Sequence, residues 1–235
     1  EMDLAEVPVI QKKIIEQAHD HGKPVIVATQ MLQSMIDEST PTRAEVSDVA
    51  NAIYDGADAV MLSGETAVGQ FPVQAVHYMA RIAETTFLDI RQRRAHEPGG
   101  RPPARLRDGR YRIAALAHGV STMVKDLDAL AIVVWSQHGG GARYLSQNRP
   151  LRPIVAFTSS LAACRQMTLF YGVFPIYVQQ PPSQEEFLKK VDRWMIERGW
   201  GEPGDAVVVA LGEPLGTSGV TNTIRVHYLG DATQD

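Results

Sequence analysis

The chain has 235 residues, 44% hydrophobic and 21% charged, with a formal net charge of −4 and a pI near 6.0. That is the balance of an ordinary soluble globular protein with core enough for one or two domains, and it gives no global drive toward nucleic acid or an anionic membrane. No apolar run approaches the roughly 20 residues of a membrane span, the acidic start Glu1-Met2-Asp3-Leu4 is no signal peptide, and the single Cys164 excludes an internal disulfide and fits a reducing, cytoplasmic setting.

In chain order, residues 5–21 read as a helix with Val9, Ile10, Ile14, Ile15 and Ala18 on one apolar stripe, stopping at Gly22 before Pro24. Residues 24–28 form a fully apolar strand of the kind parallel sheets bury. Residues 43–54 are helical, 57–62 a second buried strand, and 71–87 a helix carrying Val73, Val76, Met79, Ala80 and Ala83. This alternation, at about 30-residue spacing, predicts right-handed βαβ units. Residues 91–112 hold eight of the chain's seventeen arginines together with Pro98, Gly99, Gly100, Pro102 and Pro103. That is the composition of a linker, solvated or at an interface. A nucleic-acid reading of this basic run lacks aromatic interleaving and any motif. The expected division is therefore 1–90, a linker 91–112, and a second domain 113–235.

The second domain alternates again: helices over 113–125, 140–148, 161–170 and 183–198, and strands over 129–135, 153–157, 173–178, 206–211 and 224–229. Ser183 and Glu186 spell a capping box. With no helix between the last two strands they should be antiparallel neighbours, which predicts a mostly parallel five-stranded sheet with one antiparallel edge. Cys164 falls in an apolar helix as a buried inert thiol, and Trp194 and Trp200 are packing residues near a helix end. His19, His21, His77 and His118 lack zinc-type spacing.

Several residues carry chemistry. Thr29 closes the first strand, where its hydroxyl would either face the mouth of a barrel or satisfy strand-end backbone groups. Ser63, Gly64 and Glu65 close the second, and a carboxylate there orients a water or hydroxyl, or caps the following turn. Glu45 suits a helix N-terminus, whereas Arg43 in the same first turn opposes the helix dipole and so answers some other partner. Ser136-Gln137-His138-Gly139-Gly140-Gly141 follows a strand and opens a helix, an arrangement whose free N–H groups favour an anion. A second Gly-rich loop over 212–219, with Thr217 and Ser218, joins the last two strands, although Glu213 within it would repel phosphate.

The wording of three segments resembles pyruvate kinase: Val25-Ile26-Val27-Ala28-Thr29-Gln30-Met31-Leu32, Pro41-Thr42-Arg43-Ala44-Glu45 and Val60-Met61-Leu62-Ser63-Gly64-Glu65-Thr66. The match is dense over 6–83 and weaker to the C-terminus. The resemblance implies an α/β fold made of part of a (β/α)8 TIM barrel, its last units, followed by an effector-type α/β domain. It implies a glycolytic, cytoplasmic phosphotransferase that moves a phosphoryl group from phosphoenolpyruvate to ADP, giving pyruvate and ATP. Mg2+ (or Mn2+) and K+ would be its cofactors and a homotetramer its assembly, with no nucleic-acid or membrane partner. Thr29 then lies beside phosphoenolpyruvate, implicated in protonating the enolate through a hydroxyl and water relay. Ser63 and Glu65 support the active-site rim, and Arg43 and Glu45 sit at a subunit contact. Ser136, His138, Gly139, Gly140, Gly141, Thr217 and Ser218 match the effector site. The first effector loop departs from the family pattern by lacking its basic residue and most of its hydroxyls, which favours a monophosphate, a nucleotide or no effector over a bisphosphate. The family's metal-binding Glu/Asp pair, lysine, arginine and potassium site fall upstream of the matched stretch, so the 235-residue chain alone is expected to be inactive. Two other readings stand beside this: a non-catalytic effector-binding or assembly module derived from pyruvate kinase, and a truncated gene product.

Overall fold

A computed structural model describes residues 3–94, 112–213, 215, 216 and 221–233, and the chain divides after Gly100 into two compact units. The first begins with a short 3-10 turn, Leu4–Glu6, and then α1 (Val7–Asp20), β1 (Ile26–Ala28), a 3-10 turn at Gln33–Ile36, α2 (Arg43–Tyr54), β2 (Ala59–Met61), α3 (Gly64–Ala67) and α4 (Pro72–Arg94). β1 and β2 are parallel, with Ala28 opposite Met61. Pro8 sits in the first turn of α1, where its missing N–H costs nothing. A complete capping box starts α2: Thr42 Oγ1 accepts from Glu45 N–H and the Glu45 carboxylate accepts from Thr42 N–H.

Packing in this unit corrects the expected apolar faces. Of the α1 stripe only Ile15 is buried, while Val9 and Ile14 are more than half exposed at 53% and 56%. α4 buries Ala75, Met79, Ile82 and Thr86, at three- and four-residue intervals, and turns Val73 and Val76 outward. β1 and β2 are half-buried or exposed at every residue, not buried as their composition suggests. The reason is geometric: a parallel strand is covered only when strands flank it and layers cover both faces, and here each strand has one neighbour. α4 also outlasts the expected helix end. Arginine is a good helix former and its charge complements the C-terminal dipole, so the helix takes in Arg91, Arg93 and Arg94. The rest of the expected linker, residues 95–111, lies outside the described residues.

The second unit follows the expected order: α5 (Arg112–Asp126), β3 (Ala131–Trp135), α6 (Gly140–Gln147), β4 (Ile154–Thr158), α7 (Leu161–Met167), β5 (Val173–Tyr177), α8 (Gln184–Glu197), β6 (Ala206–Leu211) and β7 (Thr223–Tyr228). The five strands run β5-β4-β3-β6-β7, all parallel except β7, which pairs antiparallel with β6. β3 and β4 are buried at every residue. Alternate side chains feed two cores: Ile132 and Val134 join α5 and α6, whereas Val133 and Trp135 join α8. On the α8 side Phe187 takes Trp135 and Phe157 edge-on, with ring centroids 5.6 and 5.4 Å away, the preferred aromatic geometry. Trp194 and Trp200 pack together at 5.4 Å. At α8's start Ser183 Oγ accepts from Glu186 N–H, but the Glu186 carboxylate turns to Lys189 at 3.4 Å, so the expected box is half made. A buried pair, His227 Nε2 and Asp192 Oδ1 at 2.6 Å, ties edge strand β7 to α8. Cys164 is half-buried, less enclosed than expected.

Candidate functional site

The carboxyl ends of β1 and β2 build the main site. Because Ala28 pairs with Met61, the turn after β1 and the turn after β2 emerge side by side. Thr29 follows β1 directly and is exposed. Its φ is 74° and that of Gln30 is 55°, so two consecutive non-glycine residues lie in the left-handed region. Each such residue costs roughly 1–2 kcal/mol, and a β-branched threonine there is a true outlier. Strain of this kind persists only where the surroundings hold it.

Glu65, 1% exposed, is the main holder. Its Oε1 accepts from Leu32 N–H at 3.0 Å and its Oε2 from Ser63 N–H at 2.8 Å, so one carboxylate joins the turns after both strands. Burial pushes the Glu65 carboxyl up. The backbone N–H groups of Glu65 itself, Ser63 and Leu32 outweigh that and hold it below the ordinary glutamate value, against the opposing charge of Glu45. Ser63 itself is exposed beside this joint.

Glu45 grips the same loop further along. It accepts from Ser34 N–H at 2.6 Å, Ser34 Oγ at 2.5 Å, Thr42 N–H at 2.8 Å and Thr42 Oγ1 at 2.9 Å. Burial pushes its carboxyl up, and the bonds from Ser34 and Thr42 lower it overall. Thus Glu45 is more than a favourable charge at a helix start. Arg43, two residues earlier, is exposed at the first position of α2. Sequence reasoning missed Ser34 and Leu32 as partners. The only local signal was the Thr42-Arg43-Ala44-Glu45 spacing of a capping box.

The second site candidate lies at the ends of β3 and β6. Ser136 is buried and its Oγ accepts from Ala142 N–H at 3.2 Å, capping α6 from within. Gly139, with φ 80°, occupies a backbone conformation that favours glycine, and His138 is exposed. Gln137 exchanges two hydrogen bonds with Ser159, at 2.9 and 3.1 Å, linking the β3–α6 and β4–α7 turns. A Cβ placed on Gly141 would lie 3.3 Å from Thr221 Oγ1, so the chain just before β7 reaches this turn, at a residue beyond the Gly-rich stretch 212–219. Thr217 and Ser218 lie outside the described residues.

Two parallel strands carrying their polar groups at their carboxyl ends, followed by a five-stranded, mostly parallel domain, define a β/α-barrel segment with an appended α/β domain. The pyruvate kinase barrel-domain family model matches residues 1–76 and the pyruvate kinase alpha/beta-domain model residues 114–227. The pyruvate kinase of Clostridium acetobutylicum is 41% identical over 230 residues, covering 97% of this chain and 47% of its own length. That of Mycobacterium tuberculosis is 39% identical over 231 residues, covering 98% and 47%. A crystal structure of a pyruvate kinase from Cryptosporidium parvum superposes with a TM-score of 0.84 at 31% identity, over 97% of this chain and 44% of that one. The chain belongs to the pyruvate kinase family and corresponds to its C-terminal portion. It spans about half the length of the curated relatives it matches.

Proposed function

We propose that residues 1–235 are the C-terminal portion of an enzyme that transfers a phosphoryl group from phosphoenolpyruvate to ADP, giving pyruvate and ATP, and that Thr29 takes part in protonating the enolate. The observation that carries this reading is the strained Thr29 turn, held open at the carboxyl end of a parallel strand and joined by Glu65 to the neighbouring turn. Active sites of β/α barrels lie at that end. A threonine hydroxyl is too weak an acid to protonate an enolate alone, so it hands on a proton from water, and Ser63 and Glu65 support the rim of the site. Arg43, exposed on α2, serves a contact between subunits of a homotetramer, and Glu45 beside it fixes the loop that α2 follows.

Among the described residues no three or more His, Cys, Asp or Glu converge as a metal site. On the resemblance to pyruvate kinase, the Mg2+ or Mn2+ and the K+ of the reaction fall to residues outside this stretch, no step here runs through them, and the 235-residue chain alone is expected to be inactive. Among the described residues no helix is long and apolar enough to cross a membrane, and the cytoplasmic place proposed for the enzyme rests on the resemblance to pyruvate kinase alone. The turn of Ser136, His138, Gly139, Gly140 and Gly141, with Thr217 and Ser218, is the effector site of this reading. The neutral, self-bonded Ser136 and Gln137 side chains of this turn suit a monophosphate or nucleotide better than a bisphosphate.

The test is Thr29→Ala in the longer polypeptide. The expected loss in kcat is about 10²-fold or more, the scale of a general acid–base group, with a smaller change in phosphoenolpyruvate binding. A kcat within about threefold of wild type removes Thr29 from the chemistry. A second reading, a non-catalytic effector-binding or assembly module, is favoured by the completeness of the second unit's sheet beside the half-exposed strands of the first. The mass of the native polypeptide separates them: roughly twice 25.8 kDa for the enzyme, and 25.8 kDa for the module.

A further inference from the structure

We propose that Glu65 and Glu45 are positioning residues that act as one two-carboxylate brace, presetting the left-handed Thr29–Gln30 turn through the loop behind it. The proposal deepens the reading of Thr29 as a reacting group and rests on it for its catalytic consequence only. The brace itself stands on geometry.

Downstream of Gln30 the chain is pinned at every second residue. Leu32 N–H is held by Glu65, and Ser34 N–H and Oγ by Glu45. Ile36 O accepts from Gln70 N–H at 2.7 Å. Along the same stretch Met31, Leu32 and Met35 are buried at 3% exposure or less. Upstream, β1 is registered against β2 as far as Ala28. The turn at Thr29 and Gln30 is therefore the one stretch between two fixed ends, and its positive φ values are what those ends require. Glu65 fixes both, because its second oxygen takes Ser63 N–H at the end of β2.

Both carboxylates work by accepting with both oxygens. A glutamine of the same shape has one acceptor and would set its NH2 group against a backbone N–H. At the buried Glu65 no water replaces the lost acceptor, so Glu65→Gln is a sharp probe even though it conserves volume. At Glu45 the same change sacrifices the bonds to one oxygen. Packing alone would not distinguish Glu from Gln at either position.

The experiment has two arms. In the 235-residue chain, amide hydrogen exchange at Leu32, Ser34 and Ser63 and the backbone couplings of Thr29 and Gln30 are compared between wild type, Glu65→Gln, Glu45→Gln and Gln30→Gly/Glu65→Gln. Glu65→Gln should speed exchange at Leu32 or Ser63 by about tenfold or more and move the Thr29 and Gln30 couplings away from left-handed values. Gln30→Gly should restore part of the couplings at Thr29, since glycine holds a positive φ without help. In the longer polypeptide Glu65→Gln should lower kcat by about tenfold or more, with KM for phosphoenolpyruvate within about threefold. Unchanged couplings and exchange in Glu65→Gln overturn the brace, whatever Thr29→Ala does. Altered couplings with a Thr29→Ala variant of normal kcat uphold the brace and instead overturn the chemistry assigned to Thr29. If Glu65→Gln fails to fold, Ser34→Ala, which removes a single donor to Glu45, reads the same couplings: a shift upholds the brace and none overturns it.

Discussion

The two units use similar apolar strands to different ends. In the second, every residue of β3 and β4 is buried and alternate side chains supply cores on both sheet faces. In the first, no residue of β1 or β2 is fully buried, and eleven of the seventeen exposed large hydrophobic side chains among the described residues lie there. An apolar strand run therefore says that a strand wants neighbours on both sides, without saying that those neighbours lie in the same stretch of chain. What the first unit has instead, at the carboxyl ends of its strands, is a tightly specified loop with two carboxylates and a strained turn, where the β3–α6 and β4–α7 turns of the second unit hold neutral groups bonded to one another. Packing strength is concentrated in one unit and polar precision in the other.

The largest effects should come from breaking the packed unit. Phe187→Ala removes a fully buried ring that touches Trp135 and Phe157, and should cost about 3–5 kcal/mol. Asp192→Ala leaves buried His227 without its partner, at a similar cost of about 3–5 kcal/mol. All three tryptophans, Trp135, Trp194 and Trp200, lie in this unit, so urea unfolding followed by tryptophan fluorescence reads it directly. Losses under about 1 kcal/mol for both variants would erase the contrast in packing.

Acid should strike the other unit's loop. Glu45 and Glu65 have folded pKa values below the ordinary 4.5. Groups lowered on folding contribute stability above their unfolded pKa and lose it as pH falls through the folded value. Amide protection at Leu32 and Ser34 should therefore be constant near neutrality and fall as pH drops below about 4.5. Protection that rises on acidification would show that these carboxylates are not the acceptors.

The order of the elements was visible in the sequence, whereas the contrast in strand burial was not, and what was hidden has a physical cause. The order of strands and helices and the antiparallel last pair follow from periodicity and from connection length, which are local. The grip of Glu45 on Ser34 and of Glu65 on Leu32 joins residues 11 and 33 positions apart, and no local pattern encodes it. The left-handed Thr29 and Gln30 defy their own propensities, so only the fold reveals them. The outward turn of Val73 and Val76 was hidden for the opposite reason. They satisfy helical spacing as well as Ala75 and Met79 do, and only the neighbouring elements choose between the two faces. Arg91, Arg93 and Arg94 read as linker by company, yet each favours helix.

A finer test compares adjacent glycines in the β3–α6 turn. Gly139 has φ 80°, and a Cβ there would approach Met167 Cγ at 3.3 Å. Gly139→Ala should cost about 1–2 kcal/mol. A Cβ on Gly140, the first residue of α6, meets nothing within 4 Å, so Gly140→Ala should gain about 0.5–1 kcal/mol. Both are read by the same fluorescence transition. Equal effects would mean that the turn's shape is not what selects glycine, and that the second unit's turns are less specified than its strands.

The smallest expected effect bears on the contrast most directly. Val73 and Val76 of α4 are 63% and 50% exposed, and a lysine at either position keeps its stem along the helix with its charge in water. Surface substitutions away from special features stay within about 0.5 kcal/mol, so Val73→Lys and Val76→Lys should leave the thermal midpoint of the 235-residue chain nearly unchanged while reducing its self-association in light scattering. In the longer polypeptide the same substitutions separate two causes of the exposed face. If they remain harmless there, α4's outer face is open to water in the whole molecule as well. If they cost about 2 kcal/mol or more, the burial scale of one valine, that face is covered by the rest of the polypeptide or by another copy. The difference between the units would then lie in which neighbours the 235 residues include, and not in how well each unit is made.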